Sequence, residues 1–339
     1  KTPDTFVRDI RSFEERPFIL ARRKYCFNCH TFSSKLGDEG KLAIQVRYMA
    51  EGNYDLRVYL GIYDIVSREG WKVRLPFSIQ MSTFLSWSPD GEKLAFSANQ
   101  QLVTLHPVVY ETQFAGEPTS DIAIYDLSRN TAYLLSGASE PDLLEIYPRW
   151  TPSGDSLVFA AAPAGFHPAR VKYDLFVVPF NGGKGGTPEP IPDASQNGRS
   201  NYYPRFSPDG NWFSFCRSGG GSLIKSSSDI YIMHSDLKGP AQLLECNVDF
   251  AADSWHSWSS NSKWLVFASK RDDGIYARLY FTYIDEEGHA HPAVRLPVKD
   301  PPLASYNIPE FVAHRPPIPE RGLYEAIRVE RPAVAVQGG

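Results

Sequence analysis

The sequence contains one pattern of residue types with a defined chemistry, a pair of cysteines followed directly by a histidine. It reads Cys26-Phe27-Asn28-Cys29-His30, the arrangement C-x-x-C-H. This spacing allows two thiols to form thioether bonds to one haem while the adjacent imidazole binds the iron. Because only 4 cysteines occur in 339 residues, the pattern is rare by chance. It predicts one covalent haem c, attached through Cys26 and Cys29, with His30 as the proximal iron ligand.

Other interpretations of the motif remain open. A zinc ion could bind the same three side chains, but zinc needs a fourth ligand, and no second Cys or His pair lies at a suitable spacing. A redox-active cysteine pair is expected between a strand and a helix of a thioredoxin-like unit, which the sequence does not contain. A purely structural role is the third alternative. The remaining cysteines, Cys216 and Cys246, are predicted to be buried thiols that do not pair with each other.

The iron of such a haem can take a second axial ligand, usually a histidine or a methionine. The first candidates are His106, which lies in a long loop, and His256, which occupies the same position relative to its strand as His30 does. His167, in a second long loop, and Met49 are further candidates. If none of them binds, the iron keeps an open site for a small molecule.

Composition excludes several other classes of protein. The chain has 35 Lys and Arg against 39 Asp and Glu, a formal net charge of −4, which argues against a nucleic-acid partner. No stretch approaches the roughly 18 consecutive apolar residues of a membrane span, so none is predicted. The sequence begins at Lys1 without an initiator Met or an apolar leader, and we expect a signal peptide to have been removed.

The elements that position these residues are internal repeats. An aromatic residue, a turn similar to Ser-Pro-Asp-Gly and a short apolar strand recur at intervals of roughly 50–60 residues, which is typical of propeller blades with loop insertions. A four-stranded blade buries both of its faces only by packing against neighbours, so blades close into a ring. The aromatic anchors of the repeats are Phe32, Trp87, Trp150, Phe206, Trp258 and Phe311.

The repeats predict an all-β propeller with six blades, and seven is the alternative count. Five repeats are complete, and a sixth begins at Tyr306-Asn307-Ile308-Pro309-Glu310-Phe311. Residues 1–25 are expected to help close the ring, and residues 26–314 to form the propeller, with the motif in the first blade. The Pro-rich residues 315–339 form a C-terminal tail that fits no blade pattern and is expected to wrap a neighbour.

The repeats resemble those of the TolB-like family of six-bladed propellers over about residues 83–290. When the C-x-x-C-H motif is included, most of the chain resembles a bacterial family of TolB-like propellers that carry one c-type haem. Further runs that carry this resemblance are Asp121–Asp126, His256–Ser262, Ser269–Gly274 and Ser305–Phe311.

The resemblance implies an exported cytochrome, in the periplasm or another extracytoplasmic compartment. As an electron carrier it would exchange electrons with a redox partner protein or other cytochromes, or act as a subunit of a larger redox complex. Two alternatives stay open: a haem enzyme whose open axial site acts on a small molecule, and a protein-binding scaffold in which the haem is structural. A propeller fold by itself does not choose among these functions.

Overall fold

The chain folds into β-sheets that pack in series around a central axis. A computed structural model describes residues 5–12, 14–19, 25–33, 40–49, 56–76, 78–79, 81–99, 103–104, 113–114, 119–297, 305–312 and 323–336. Within these residues, five sheets of four or five strands form the blades, and two short hairpins lie outside them. The predicted all-β propeller is confirmed. No helix in the described part of the chain is long and apolar enough to cross a membrane.

Each blade is an antiparallel sheet whose first strand lies nearest the axis. An N-terminal hairpin of β1 (Thr5–Asp9) and β2 (Glu14–Ile19) precedes the blades. Blade 1 contains β3 (Tyr25–Phe32), β4 (Lys41–Met49), β5 (Leu56–Asp64) and β6 (Gly70–Arg74). Blade 2 contains β7 (Thr83–Trp87), β8 (Lys93–Ala98), β11 (Asp121–Asp126) and β12 (Thr131–Leu134), with the small hairpin of β9 (Val103–Thr104) and β10 (Gln113–Phe114) inserted between β8 and β11.

The other three blades repeat this order. Blade 3 contains β13 (Leu143–Trp150), β14 (Ser156–Pro163), β15 (Asp174–Pro179) and β16 (Glu189–Pro190). Blade 4 contains β17 (Ser200–Phe206), β18 (Trp212–Ser218), β19 (Asp229–His234) and β20 (Gln242–Leu243). Blade 5 contains β21 (Asp253–Trp258), β22 (Trp264–Ser269), β23 (Arg278–Tyr283) and β24 (Val294–Arg295). After blade 5 come helix α1 (Leu323–Ala326), β25 (Val329–Pro332) and β26 (Val334–Ala335).

The repeated Ser-Pro-Asp-Gly sequence forms the turn from the first to the second strand of a blade. In blade 2 the hydroxyl of Ser88 accepts a hydrogen bond from the backbone nitrogen of Lys93 at 2.9 Å. The turn ends at Gly91, whose φ of +70° is the left-handed conformation that glycine adopts without steric penalty. Ser207 and Gly210 repeat the arrangement in blade 4, with a φ of +77° at the glycine. The repeat is therefore conserved between blades because the turn geometry requires it.

A β-bulge interrupts the first strand of every blade, three residues before the anchor. The strand register shifts at this point in all five blades. The extra residue has a positive φ, between +38° and +58°, which is uncommon for residues with a side chain. These residues are Cys29, Phe84, Tyr147, Tyr203 and Trp255. The bulge redirects their side chains, so all five blades present one residue in the same way.

The junction between blades 5 and 1 is closed by a single extended segment. The predicted counts of six and seven blades were wrong, because the described strands form five. Residues 305–312 contain the sixth anchor but have no strand pairing. On one side, the Phe311 nitrogen donates to Ser257 Oγ at 3.2 Å. On the other, Glu310 Oε1 accepts from the Phe32 nitrogen at 3.2 Å. These bonds to both neighbouring blades take the place of a sixth sheet.

The N-terminal hairpin lies across the same junction. Phe18 and Ile19 in β2 are buried together with Phe27 of blade 1. On the opposite side, the Arg8 guanidinium donates a hydrogen bond to the carbonyl of Pro297, which follows the last strand of blade 5. The described part of residues 1–25 thus contacts both blades that border the junction.

The C-terminal segment also packs on the propeller. Strand β25 pairs in parallel with β6, and β26 pairs in parallel with β12. Ile327 is fully buried and lies with Leu323 in the core of blade 1. Residues 323–336 thus add a fifth strand to each of blades 1 and 2. These pairings join strands that are far apart in the sequence, so no local sequence pattern predicts them.

Candidate functional site

The C-x-x-C-H motif lies within strand β3, the first strand of blade 1. The strand runs from Tyr25 to Phe32, and its register shifts between Asn28 and His30. Cys29 is the extra residue of the bulge, with a φ of +38°. Cys29 and His30 are both partly exposed. The motif therefore occupies the same position in blade 1 as the bulges of the first strands occupy in the other blades.

In the other blades, the position of Cys29 is occupied by aromatic residues that contact one another. The Phe84 and Tyr147 ring centroids are 4.1 Å apart. Tyr147 and Tyr203 are 5.8 Å apart, and Tyr203 and Trp255 are 6.1 Å apart. Since these residues come from four consecutive blades, their contact places them around the axis. We call Phe84, Tyr147, Tyr203 and Trp255 the aromatic layer.

Three residues of the aromatic layer are buried, and the fourth is partly exposed. Tyr147, Tyr203 and Trp255 are buried, whereas Phe84 is partly exposed, as is Cys29 beside it. A cysteine is much smaller than an aromatic residue at the equivalent position. The side chain at this position is therefore smaller in blade 1 than in any other blade, and the aromatic surface of blade 2 follows it around the axis.

His30 contacts the segment that closes the ring. Its Nε2 atom lies 3.8 Å from Oε2 of Glu310, and both side chains are partly exposed. The Oε1 atom of the same carboxylate accepts hydrogen bonds from Thr31 Oγ1 and the Phe32 nitrogen, each at 3.2 Å. The carboxylate is thus held against blade 1, where it restricts the orientation of the imidazole.

His256, a candidate second ligand, is a core residue whose two ring nitrogens are both engaged. It is fully buried, with Nε2 2.9 Å from Ser214 Oγ and Nδ1 3.7 Å from Cys216 Sγ. Burial, followed by the positive charges of Arg205 and Arg149, lowers the pKa of His256 to about 3. The imidazole is therefore neutral at neutral pH. It would have to give up a hydrogen bond to bind a metal ion.

The remaining candidate ligands are not brought to the axis by the described residues. His167 is exposed, and its Nδ1 accepts a hydrogen bond from the Ala169 nitrogen at 3.3 Å, at the start of the short helical turn Pro168–Arg170. His106 lies outside the described residues, and of Met49 only the backbone, at the end of β4, is described. Across the part of the chain that the structure describes, no three His, Cys, Asp or Glu residues form a metal-binding group.

Several features around the motif bear on its fit to a covalent haem. The partly exposed Cys29 and His30, the small residue at the axis of blade 1 and the aromatic surface of Phe84 suit a flat apolar group. The backbone of Cys26 belongs to the same strand. Of Cys26 only the backbone is described, so the described residues that bear on haem attachment are Cys29, His30 and their neighbours.

Sequence reasoning missed a group of residues that lies directly before the anchors. One such residue comes from each blade and from the closing segment: Thr31, Ser86, Arg149, Arg205, Ser257 and Glu310. The Arg205 guanidinium lies 3.9 Å from the centroid of the Tyr203 ring, so it stacks on the aromatic layer. Burial and the neighbouring charge of Arg205 lower the pKa of Arg149 to about 10. Comparing the repeats one residue before each anchor would have revealed both arginines.

Comparison with known proteins defines the class of fold. No family model matches the sequence, and neither does any curated protein. A TolB structure from Agrobacterium tumefaciens has a TM-score of 0.56 at 17% identity, covering 86% of this chain and 87% of that one. TolB from Acinetobacter baumannii has a TM-score of 0.53 at 15% identity, covering 87% of this chain and 63% of that one.

A third solved structure supports the same fold. The periplasmic gluconolactonase of Pseudomonas aeruginosa has a TM-score of 0.51 at 12% identity and covers 86% of this chain and 78% of that one. The chain spans 63% of the length of the Acinetobacter protein. At these identities the similarity is one of fold. The protein is an all-β propeller whose fold is similar to that of the TolB structures.

Proposed function

We propose that this propeller is an exported c-type cytochrome with one haem, attached through Cys26 and Cys29 with His30 as the proximal ligand. It would pass electrons to or from a redox partner protein, or act as a subunit of a redox complex. The observation that carries this proposal is the position of the motif, at the bulge where every other blade directs an aromatic side chain to the axis.

The surrounding residues have defined roles in this proposal. A bound haem would supply a centre that gains and loses one electron. Glu310 restricts the orientation of the His30 imidazole through the contact at 3.8 Å. Tyr147, Tyr203 and Trp255 exclude water from the axis, and a low local dielectric is one of the factors that set a haem potential.

An extracytoplasmic location belongs to the same proposal. Covalent haem attachment to a C-x-x-C-H motif is expected of exported proteins, and one structure with a similar fold is described as periplasmic. Fractionation of the native host would test this location. Recovery of the protein with cytoplasmic markers would contradict it.

The primary experiment is a pyridine haemochrome assay after acid–acetone extraction, on protein made in a host competent for cytochrome c maturation. We expect a c-type spectrum with one haem per chain. Cys29→Ala should shift the band toward the position of a single thioether bond, and Cys26→Ala/Cys29→Ala should abolish covalent haem. The matched control is Cys246→Ala, because Cys246 lies outside the motif and is buried in the core shared by blades 4 and 5. Protein without haem under these conditions would refute the proposal.

A haem enzyme with an open axial site is the second candidate function. It is favoured by the two engaged ring nitrogens of His256. The spin state of the ferric protein distinguishes the two functions, because six-coordinate iron is low-spin and suits electron transfer, whereas an open site is high-spin. A low-spin spectrum that becomes high-spin in His106→Ala would identify His106 as the second ligand and exclude the open site.

A further inference from the structure

The loop of residues 219–228, which connects β18 to β19 in blade 4, lies across one end of the propeller axis. The Tyr147 hydroxyl of blade 3 donates a hydrogen bond to a serine of this loop at 3.3 Å. The Tyr202 hydroxyl of blade 4 and the Ser254 hydroxyl of blade 5 both donate to the carbonyl of Leu223, at 2.6 Å and 3.2 Å. Because these donors lie on the innermost strands of three consecutive blades, the loop covers the centre of the ring.

Two apolar side chains of the loop hold it against the blades. Leu223 is fully buried and belongs to the same core as Trp255 of the aromatic layer. Ile224 is 1% exposed and packs with Ala268 and Ala277 of blade 5. The loop therefore buries apolar surface of its own while it covers the aromatic layer from this end of the axis.

The backbone at the start of the loop has the features of a hinge. Residues 219–221 are three successive glycines, and Gly221 has a φ of +72°. Glycine allows the chain to change direction there without a steric penalty. Leu223 has a φ of +75°, a conformation that residues with bulky side chains rarely adopt. Such a conformation persists only where surrounding contacts impose it, and here Tyr202 and Ser254 bind its carbonyl. The loop thus joins a flexible start to a position that is held by its contacts.

A thiol in contact with an imidazole lies one residue away from the carbonyl of Leu223. Cys216 Sγ is 3.5 Å from Ser254 Oγ, the same hydroxyl that donates to Leu223, and 3.7 Å from Nδ1 of His256. Both Cys216 and His256 are fully buried. A thiol reacts only where a reagent can reach it. Alkylation of Cys216 therefore reports whether the covering loop opens.

We propose that residues 219–228 form a lid, hinged at residues 219–221, that controls the access of water and small molecules to the aromatic layer and to Cys216. In the structure the lid is closed. It covers the end of the axis opposite the Ser-Pro-Asp-Gly turns, because its partners Tyr202 and Ser254 lie near the beginning of their strands. The lid rests on contacts of blades 3, 4 and 5 and does not depend on the haem proposed for blade 1.

The test is the rate at which iodoacetamide alkylates Cys216 in the folded protein, with peptide mass spectrometry following each cysteine separately. Opening of a lid predicts a rate that hardly changes with urea well below the unfolding transition. Leu223→Ala removes the buried side chain that anchors the lid, and it should accelerate alkylation of Cys216 by about tenfold or more. Gly219→Ala should slow it, because a Cβ there meets only Ser227 Oγ, at 3.4 Å, and restricts the hinge.

Cys246 is the internal control, since it is 3% exposed and lies in a different core from the lid. Leu265→Ala is the matched control variant, because Leu265 is fully buried in the core that contains Cys246, and it should not accelerate Cys216 selectively. Tyr202→Phe, which removes one donor to the Leu223 carbonyl and keeps the ring, replaces Leu223→Ala if that variant does not fold. The proposal is overturned if the lid variant fails to accelerate Cys216, or accelerates Cys216 and Cys246 by the same factor. It is also overturned if Cys216 of the parent protein reacts only at urea concentrations that unfold the protein.

Discussion

The Nε2 atom of His30 lies 3.8 Å from the Oε2 atom of Glu310, so the histidine of the C-x-x-C-H motif contacts the segment that closes the ring. The two residues are far apart in the sequence and meet only because residues 305–312 run between blades 5 and 1. The same carboxylate therefore contacts the motif and belongs to the segment that closes the ring.

We expect Glu310→Ala to lower the free energy of unfolding by about 1–3 kcal/mol, because it removes the acceptor of two hydrogen bonds. The donors are Thr31 Oγ1 and the Phe32 nitrogen, each at 3.2 Å. Urea unfolding followed by tryptophan fluorescence measures the change. Glu189→Ala, at an exposed carboxylate, is the control and should have little effect. Equal stability of Glu310→Ala and the parent protein would show that the closing segment does not depend on this carboxylate.

Glu145→Gln should stabilise the protein at alkaline pH. Glu145 is 1% exposed, and burial raises its pKa to about 8, with the negative charges of Asp121 and Glu140 adding to the effect. The native state then binds more protons than the unfolded state between about pH 4.5 and pH 8, so this group makes the protein less stable as the pH rises through that window. Glutamine is always neutral and removes that loss.

The corresponding measurement is urea unfolding of both proteins at pH 5 and pH 9. The free energy of unfolding of Glu145→Gln, relative to that of the parent protein, should be larger at pH 9 than at pH 5 by about 1–3 kcal/mol. The maximum that one group can contribute is about 1.4 kcal/mol for each pH unit between its two pKa values. Glu189→Gln, at an exposed side chain in blade 3 that does not contribute to the Glu145 shift, is the control. A pH-independent difference would mean that Glu145 is ionised in the folded protein.

Gly137→Ala should destabilise the protein more than Gly165→Ala does, although both glycines have nearly the same conformation. Their φ angles are +82° and +86°. A Cβ at Gly137 would lie 1.8 Å from the carbonyl oxygen of Gly186, whereas a Cβ at Gly165 meets nothing within 4 Å. The shared conformational cost is about 1–2 kcal/mol, and the clash adds about 1–3 kcal/mol. Equal melting temperatures for the two variants would contradict the close packing of the loop at Gly186.

Ile327→Ala tests the attachment of the C-terminal segment to blade 1. Ile327 is fully buried, and its Cγ2 would lie 2.7 Å from a Cβ built at Gly70. Deleting such a side chain from a packed core costs about 2–5 kcal/mol. Val334→Ala is the control, since Val334 is 58% exposed. If chemical denaturation gives the same midpoint for both variants, the segment does not stabilise the blade.

The repeat structure was predictable because its signals are local. The Ser-Pro-Asp-Gly turns depend on residues within five positions of one another, as the bond from the Lys93 nitrogen to Ser88 Oγ shows. The anchors Trp87, Trp150, Phe206 and Trp258 each end the first strand of a blade, as expected. Strand order and blade order follow directly from such repeats.

Ring closure was not predictable in the same way. The anchor at Phe311 indicated a further blade, but the segment around it forms side-chain bonds to Ser257 and Phe32 in place of strand pairs. The parallel pairing of β25 with β6 joins residues that are far apart in sequence. These contacts form only in the assembled ring, and no periodicity within either segment predicts them.

The candidate site was predictable in part. The motif itself is evident in the sequence, and its bulge follows from alignment of Cys29 with Phe84 and the other aromatic residues. The engaged nitrogens of His256 could not be inferred, because Ser214 and Cys216 belong to the neighbouring blade. The position before the anchor does carry a signal, since Arg149 and Arg205 align with hydroxyl residues in other blades.

The order in which the propeller can be completed follows from the C-terminal segment. Blade 1 is synthesised before the other four blades, yet its edge strand β25 and the buried Ile327 follow all of them in the sequence. Part of the apolar surface of blade 1 therefore stays uncovered until blades 2 to 5 have been synthesised. Contacts of such long sequence separation slow folding and prolong exposure of unpaired strand edges. Blade 1, the first blade in the sequence, is consequently expected to be the last blade to be completed.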